Sequence, residues 1–196
     1  MFRKIPGYTI IKKCYYNIRF NIIQPINIMH PSDKLCRPVV VAIVRKNING
    51  IPHILMQTRW KPKEDPVYSG TLELPAGHIY SYEDVHEALK REVLEETGLN
   101  VRIIEPDTRT KKFTPRDDCA FGFKPFCAHQ QLKNGLPWIG FAFICEVEDG
   151  KFVAQESETK DQQWISENKI KTMIKNKPEK IFTFHIPTLA FYFQEK

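Results

Sequence analysis

Residues 77–99 read GHIYSYEDVHEALKREVLEETGL, and their periodicity predicts the helix around which the rest of the chain is arranged. Positions 82–97 have the helical pattern. Ser81-x-x-Asp84 offers a variant of the capping box at its start, and Gly98 a C-cap at its end. At about 100° per residue, Val85, Ala88, Leu89 and Val93 fall on one apolar stripe that should face a core. Continued toward the C-terminus, that stripe meets Glu92, Glu95 and Glu96. Their i, i+3, i+4 spacing clusters three carboxylates on neighbouring turns of the inward face.

Three sheltered acids repel one another, and each costs several kcal/mol when desolvated and unpaired. Something positive is expected among them. Hard oxygen ligands on a short arc suit Mg²⁺ or Mn²⁺, which keep open positions for water and phosphate. Arg91 stands beside Glu95 and offers a bidentate fork for a carboxylate. The competing reading is a solvated acidic helix face, and spacing alone does not separate the two.

Outward from the helix, Val39 to Arg45 is a nearly continuous apolar run, as expected of a strand buried on both faces. Asn49-Gly50 then predicts a hairpin into Ile54-Leu55-Met56. A loop with Pro62, Pro66 and Gly70 leads to a short strand, Thr71 to Leu74. Further strands are expected at Val101 to Ile104 and Gly140 to Val147, with a second hairpin at Asn134-Gly135, and helices at Ser166 to Lys175 and Ile186 to Gln194. Residues 8–24 are rich in β-branched and aromatic residues and read as one or two strands, followed by a linker turn at Pro31-Ser32-Asp33. Strands interleaved with a few helices indicate a layered α/β domain over residues 38–196, preceded by a strand-rich extension over 1–37.

At 196 residues the chain suits one domain, and 42% hydrophobic residues with 13 Phe and 7 Tyr supply a core. The net charge of +6 favours anionic ligands, but the basic residues are scattered, which argues against nucleic acid as the main partner. Five cysteines without a C-x-x-C pair argue against a disulfide framework or structural zinc and fit a reducing cytoplasm. No apolar run has the length of a membrane span. Lys12, Lys13 and Arg19 interrupt any apolar signal core, so a secretion signal is not expected.

The segment 77–99 resembles a complete Nudix box: Gly77, Glu83, Arg91, Glu92, Val93, Glu95, Glu96, Gly98 and Leu99 match all nine specified positions. The resemblance implies a Nudix-type α/β/α sandwich with a mixed β-sheet, the box forming a loop–helix–loop. It implies Glu92, Glu95 and Glu96 as metal ligands, with the carbonyl of Ala76 or Gly77 as a further one. Glu95 would activate water, Arg91 would orient a box glutamate, and Glu83 would support the cluster from the helix start. The implied chemistry is attack of water on a diphosphate phosphorus with Mg²⁺ or Mn²⁺ as cofactor.

The segments MQTRWKP (56–62) and ELPAG (73–77), with Pro115 sixteen residues beyond Leu99, resemble the ADP-ribose pyrophosphatase branch. The Arg-Asp-Asp after Pro115 departs from the small residues usual there. By this resemblance Arg59 would touch phosphate or ribose, the substrate would be ADP-ribose or a related nucleotide sugar, and residues 8–24 would be a homodimerising arm. A nucleoside triphosphate remains the alternative substrate. A non-hydrolytic nucleotide-binding regulator and a diphosphate isomerase using a Cys and a Glu remain alternatives of other classes. Phe113, Phe121, Phe123, Phe126 and Trp138 are candidates to stack a base. Glu156 and Glu158 lie where relatives often carry a loop glutamate that binds metal or acts as base.

Overall fold

The apolar run at 39–44 becomes the centre of the sheet because both of its faces are covered. The structure is a computed structural model describing residues 35–105, 108–152 and 159–194. The strands expected over 8–24, the turn at 31–33 and the loop acids Glu156 and Glu158 lie outside these residues. Strand β1 (Arg37–Ile48) turns at Asn49-Gly50, both at positive φ, into β2 (Ile51–Arg59), in the two-residue hairpin expected of that dipeptide. Two short strands follow, β3 (Leu72–Glu73) on β2 and β4 (Ala76–His78) on β1. Helix α1 (Val85–Thr97) leads into β5 (Leu99–Glu105). A small hairpin, β6 (Thr108–Arg109) with β7 (Phe123–Lys124), precedes β8 (Cys127–Gln130) and β9 (Trp138–Gly150). Strand β10 (Thr159–Ser166), α2 (Glu167–Asn176) and α3 (Ile186–Gln194) complete the described residues.

The main sheet runs β10-β2-β1-β9-β5, with β8 on β9. The β1–β9 pair is parallel and the rest antiparallel, so the sheet is mixed. Alternation along β1 divides the core in two. Val39, Val41 and Ile43 pack with Ile170 of α2 and with Leu189 and Tyr192 of α3. Val40, Ala42 and Val44 pack with Val85, Ala88, Leu89 and Val93 of α1. The result is the expected α/β/α sandwich, and the apolar stripe of α1 faces inward as its periodicity requires.

One boundary differs from expectation. The helix begins at Val85, not at residue 82, because Tyr82 sits at φ 64 and cannot continue it. Asp84, not Ser81, is the N-cap, its carboxylate accepting from the His86 N–H at 3.0 Å. Gly98, at φ 74, closes the helix as expected.

A histidine ties β8 to α3. His129 Nδ1 lies 3.0 Å from Thr188 Oγ1 and its ring centroid 4.3 Å from that of Phe184. Burial lowers its pKa from 6.5 to about 4. A depressed histidine gives stability that is present above pH 6.5 and lost as pH falls through about 4. The gap corresponds to about 3 kcal/mol. Urea titrations should therefore show stability falling between pH 7 and pH 4, and His129→Asn should shrink that fall by about 3 kcal/mol. An unchanged pH dependence in the variant would rule the account out.

Candidate active site

The β3–β4 segment, the end of β2, α1 and the stretch from Phe182 to His185 surround one cleft. Its lining combines two chemical sets. One is Glu92, Glu95 and Glu96 of α1 with Ala76 and Gly77 of β4. The other is Arg59, Lys61, Trp138, Phe182, Phe184 and His185.

The three glutamates do not share one environment. Glu96 is buried, and its Oε2 accepts from Gln57 Nε2 at 2.7 Å and from the Ala76 N–H at 3.0 Å. Burial, reinforced by the neighbouring Glu73 charge, raises its pKa well above the ordinary carboxylate range. The Glu92 side chain is 12% exposed, and burial raises its pKa too, against the opposing pull of Arg91. Glu95 departs from the inward placement expected of all three. Its side chain is 48% exposed and stands at the cleft mouth. Residue 95 lies about 95° from the centre of the stripe formed by Val85, Ala88, Leu89 and Val93, at its edge, where the side chain turns outward.

Arg91 organises the cluster. Its Nε and Nη2 fork onto Glu83 at 2.7 and 3.0 Å, so the bidentate partner is Glu83 rather than Glu95. Its Nη1 reaches Glu92 at 2.7 Å and Glu95 at 3.1 Å, and Nη2 also donates to the His78 carbonyl at 2.9 Å. Tyr80 lies under the guanidinium at 4.3 Å. The fork lowers the pKa of Glu83, which also accepts from the Tyr80 N–H. A Cβ built on Gly77 would overlap the Glu92 carboxylate, so a side chain there would displace that carboxylate.

This donor set fits a hard divalent cation: carboxylate oxygens, two of them on groups whose ionised form burial penalises, beside the backbone of Ala76 and Gly77. Among the described residues no three His, Cys, Asp or Glu side chains converge closely enough to chelate an ion as they stand. Arg91 Nη1 holds Glu92 and Glu95, so a cation would compete with that guanidinium for them.

Arg59 lines the cleft but is 6% exposed. Its Nε and Nη2 bind Asp65 at 3.0 and 2.7 Å, Nη1 binds Glu73 at 3.0 Å, and the guanidinium stacks 4.5 Å from the Phe182 ring. Three of the five N–H donors of an arginine are thereby engaged. Of the candidate stacking aromatics, Trp138 alone is in the cleft wall. Phe121, Phe123 and Phe126 pack against the cores, and Phe113 is exposed. Pro115 opens an exposed turn, Pro115–Asp117, outside the cleft. Cys119 is exposed, Cys127 and Cys145 are buried, and none of the three lines the cleft. Sequence reading missed Tyr80, Phe182, Phe184 and His185 as cleft residues and did not assign Gln57 or Glu73 a role, although both stand in the quoted segments. The Phe182-Thr183-Phe184-His185 cluster was the available signal.

Residues 36–184 match the NUDIX domain family. No curated protein sequence matches the chain. Solved structures resemble it in fold. The MutT protein from Methanosarcina mazei Go1 is 21% identical, with a TM-score of 0.56, covering 84% of this chain and 98% of that one. A NUDIX hydrolase from Nitrosomonas europaea is 20% identical, TM-score 0.54, covering 83% and 91%. The NUDIX domain of Shewanella oneidensis NrtR, complexed with ADP ribose, is 13% identical, TM-score 0.56, covering 85% and 92%.

Proposed function

Since the chain belongs to the Nudix family, we propose that it is a divalent-metal-dependent pyrophosphohydrolase that cleaves ADP-ribose or a related nucleotide sugar. The observation that carries this reading is the mixed lining of the cleft, which brings carboxylates together with Arg59, Lys61 and aromatic rings. A diphosphate flanked by two sugars needs contacts at both ends, and such a lining would supply them. In NrtR, the same fold holds ADP ribose.

Glu92, Glu95 and Glu96, with a carbonyl of Ala76 or Gly77, would hold Mg²⁺ or Mn²⁺; bound there, the cation neutralises charge on phosphate oxygens and lowers the pKa of water. Glu95, the most exposed of the three, would accept the proton of the attacking water. Water attacks one phosphorus, the bridging P–O bond breaks, and its oxygen leaves with the other phosphate. Arg91 is a positioning residue that keeps Glu83, Glu92 and Glu95 in register. Arg59 and Lys61, which both line the cleft, would contact the phosphates or ribose. Among the described residues Cys36, Cys119 and Cys145 are free thiols, which supports placing the reaction in a reducing cytoplasm.

The test is a substrate panel with Mg²⁺ and chromatographic identification of products. ADP-ribose should yield AMP and ribose 5-phosphate faster than any nucleoside triphosphate yields pyrophosphate. Dominant pyrophosphate release would replace the substrate assignment while leaving the hydrolytic one. No cleavage of either series would favour a binding regulator. None of the described cysteines lines the cleft, which weighs against the isomerase alternative.

A further inference from the structure

The cation-and-aromatic part of the lining contains hydrogen-bond donors that have no partner among the described residues. His185 is 1% exposed and lines the cleft. Its Nδ1 accepts the Leu74 N–H at 3.0 Å, so in the neutral ring the proton resides on Nε2. Burial, with the nearby His129 and Arg59 charges, holds the pKa of His185 well below 6.5, which keeps the ring neutral. Nε2 is buried without a partner. Trp138, 8% exposed and in the same lining, likewise has its indole Nε1 buried without a partner. Buried donors are rarely left unsatisfied, and two in one cleft lining call for an acceptor from outside. Around them stand the rings of Phe182 and Phe184, 5.2 and 5.6 Å from the His185 centroid.

We propose that His185 is a specificity-determining residue whose Nε2–H, with Trp138 Nε1–H, receives the ring-nitrogen or carbonyl acceptors of a nucleobase lodged against Trp138, Phe182 and Phe184. An anion suits the aromatic part of this lining poorly, because aromatic faces carry negative quadrupole charge and burial penalises a charge. A flat neutral ring with acceptors on its edge suits both the rings and the donors. The diphosphate then extends from this part of the lining toward Glu92, Glu95 and Glu96. The inference rests on the nucleotide reading above but not on which nucleotide is hydrolysed.

The experiment is calorimetric binding of AMP, GMP, UMP and ribose 5-phosphate to the full chain in EDTA, without turnover. His185→Asn keeps an acceptor for the Leu74 N–H and deletes the Nε2 donor; Trp138→Phe keeps an aromatic ring and deletes the Nε1 donor. Each should weaken the best-bound nucleoside monophosphate about tenfold, the scale of one buried hydrogen bond, and leave ribose 5-phosphate unchanged. His185→Gln, which restores a donor near the Nε2 position, should bind the nucleotide better than His185→Asn even if it melts lower. Wild-type affinity in both donor-deleting variants, equal weakening of ribose 5-phosphate, or no binding of any monophosphate by the wild type would each overturn the proposal. A chain that cleaves triphosphates in place of ADP-ribose can still pass this test, so the two failures are distinguishable.

Discussion

Glu96→Gln should lower turnover at least about a hundredfold and yet raise the melting temperature of the metal-free protein. The loss of rate follows from removing one charge from the set that would hold the cation. Stability moves the other way. Glu96 is buried beside Glu73, and both burial and that neighbour raise its pKa. A raised carboxyl gives stability that is full below the ordinary carboxylate range and is lost as pH rises through the folded value. At pH 8 the metal-free fold therefore carries a penalty that a neutral amide lacks. Gln can still accept from Gln57 Nε2 and the Ala76 N–H, so the local bonds survive. Glu95→Gln should cost a similar factor in rate with no gain in melting temperature, because its side chain is 48% exposed. If Glu96→Gln unfolded, or kept full turnover, the acids would be structural.

Arg59→Ala should cost the fold about 3–5 kcal/mol, the usual consequence of leaving a buried charge without its partner. Glu73, 5% exposed at its side chain, would lose the guanidinium held at 3.0 Å while still facing Glu96. Asp65 would lose two hydrogen bonds and Phe182 its stacked cation. Urea denaturation of the metal-free chain at pH 7 measures this, and adding Glu73→Gln should restore part of the loss. A cost below about 1 kcal/mol would show that the pairing is not structural and that the whole fork is free for substrate. A fall in catalytic rate for Arg59→Ala must accordingly be read beside its stability.

How much of this was legible in the sequence depended on the range of the interaction. Helix α1 and its stripe were readable because Val85, Ala88, Leu89 and Val93 carry a local period, and the β1–β2 hairpin because Asn49-Gly50 selects its own turn. The helix start was misplaced by three residues because Glu83 is recruited by Arg91 and the Tyr80 N–H, a competition that periodicity does not encode. Glu95 was placed inward because it was read with the stripe although it lies at its edge; the inward side itself stays covered through Glu96 and Thr97. The second set of lining residues was not legible at all. It exists because His185 meets Leu74, 111 residues away, and because Ile181 bridges Leu72. The role of Arg59 changed for the same reason: only the fold brings Asp65, Glu73 and Phe182 around it.

The central claim is that the α1 carboxylates hold a divalent cation, and a Mn²⁺ titration of the unfolding free energy tests it most directly. A cation bound by the folded state alone stabilises it by mass action, about 2.7 kcal/mol at a hundredfold excess over the dissociation constant. The wild-type chain should show a saturable rise of this kind, and Glu92→Gln should blunt it. An equal response with and without the Glu92 carboxylate, or none in the wild type, would contradict the assignment.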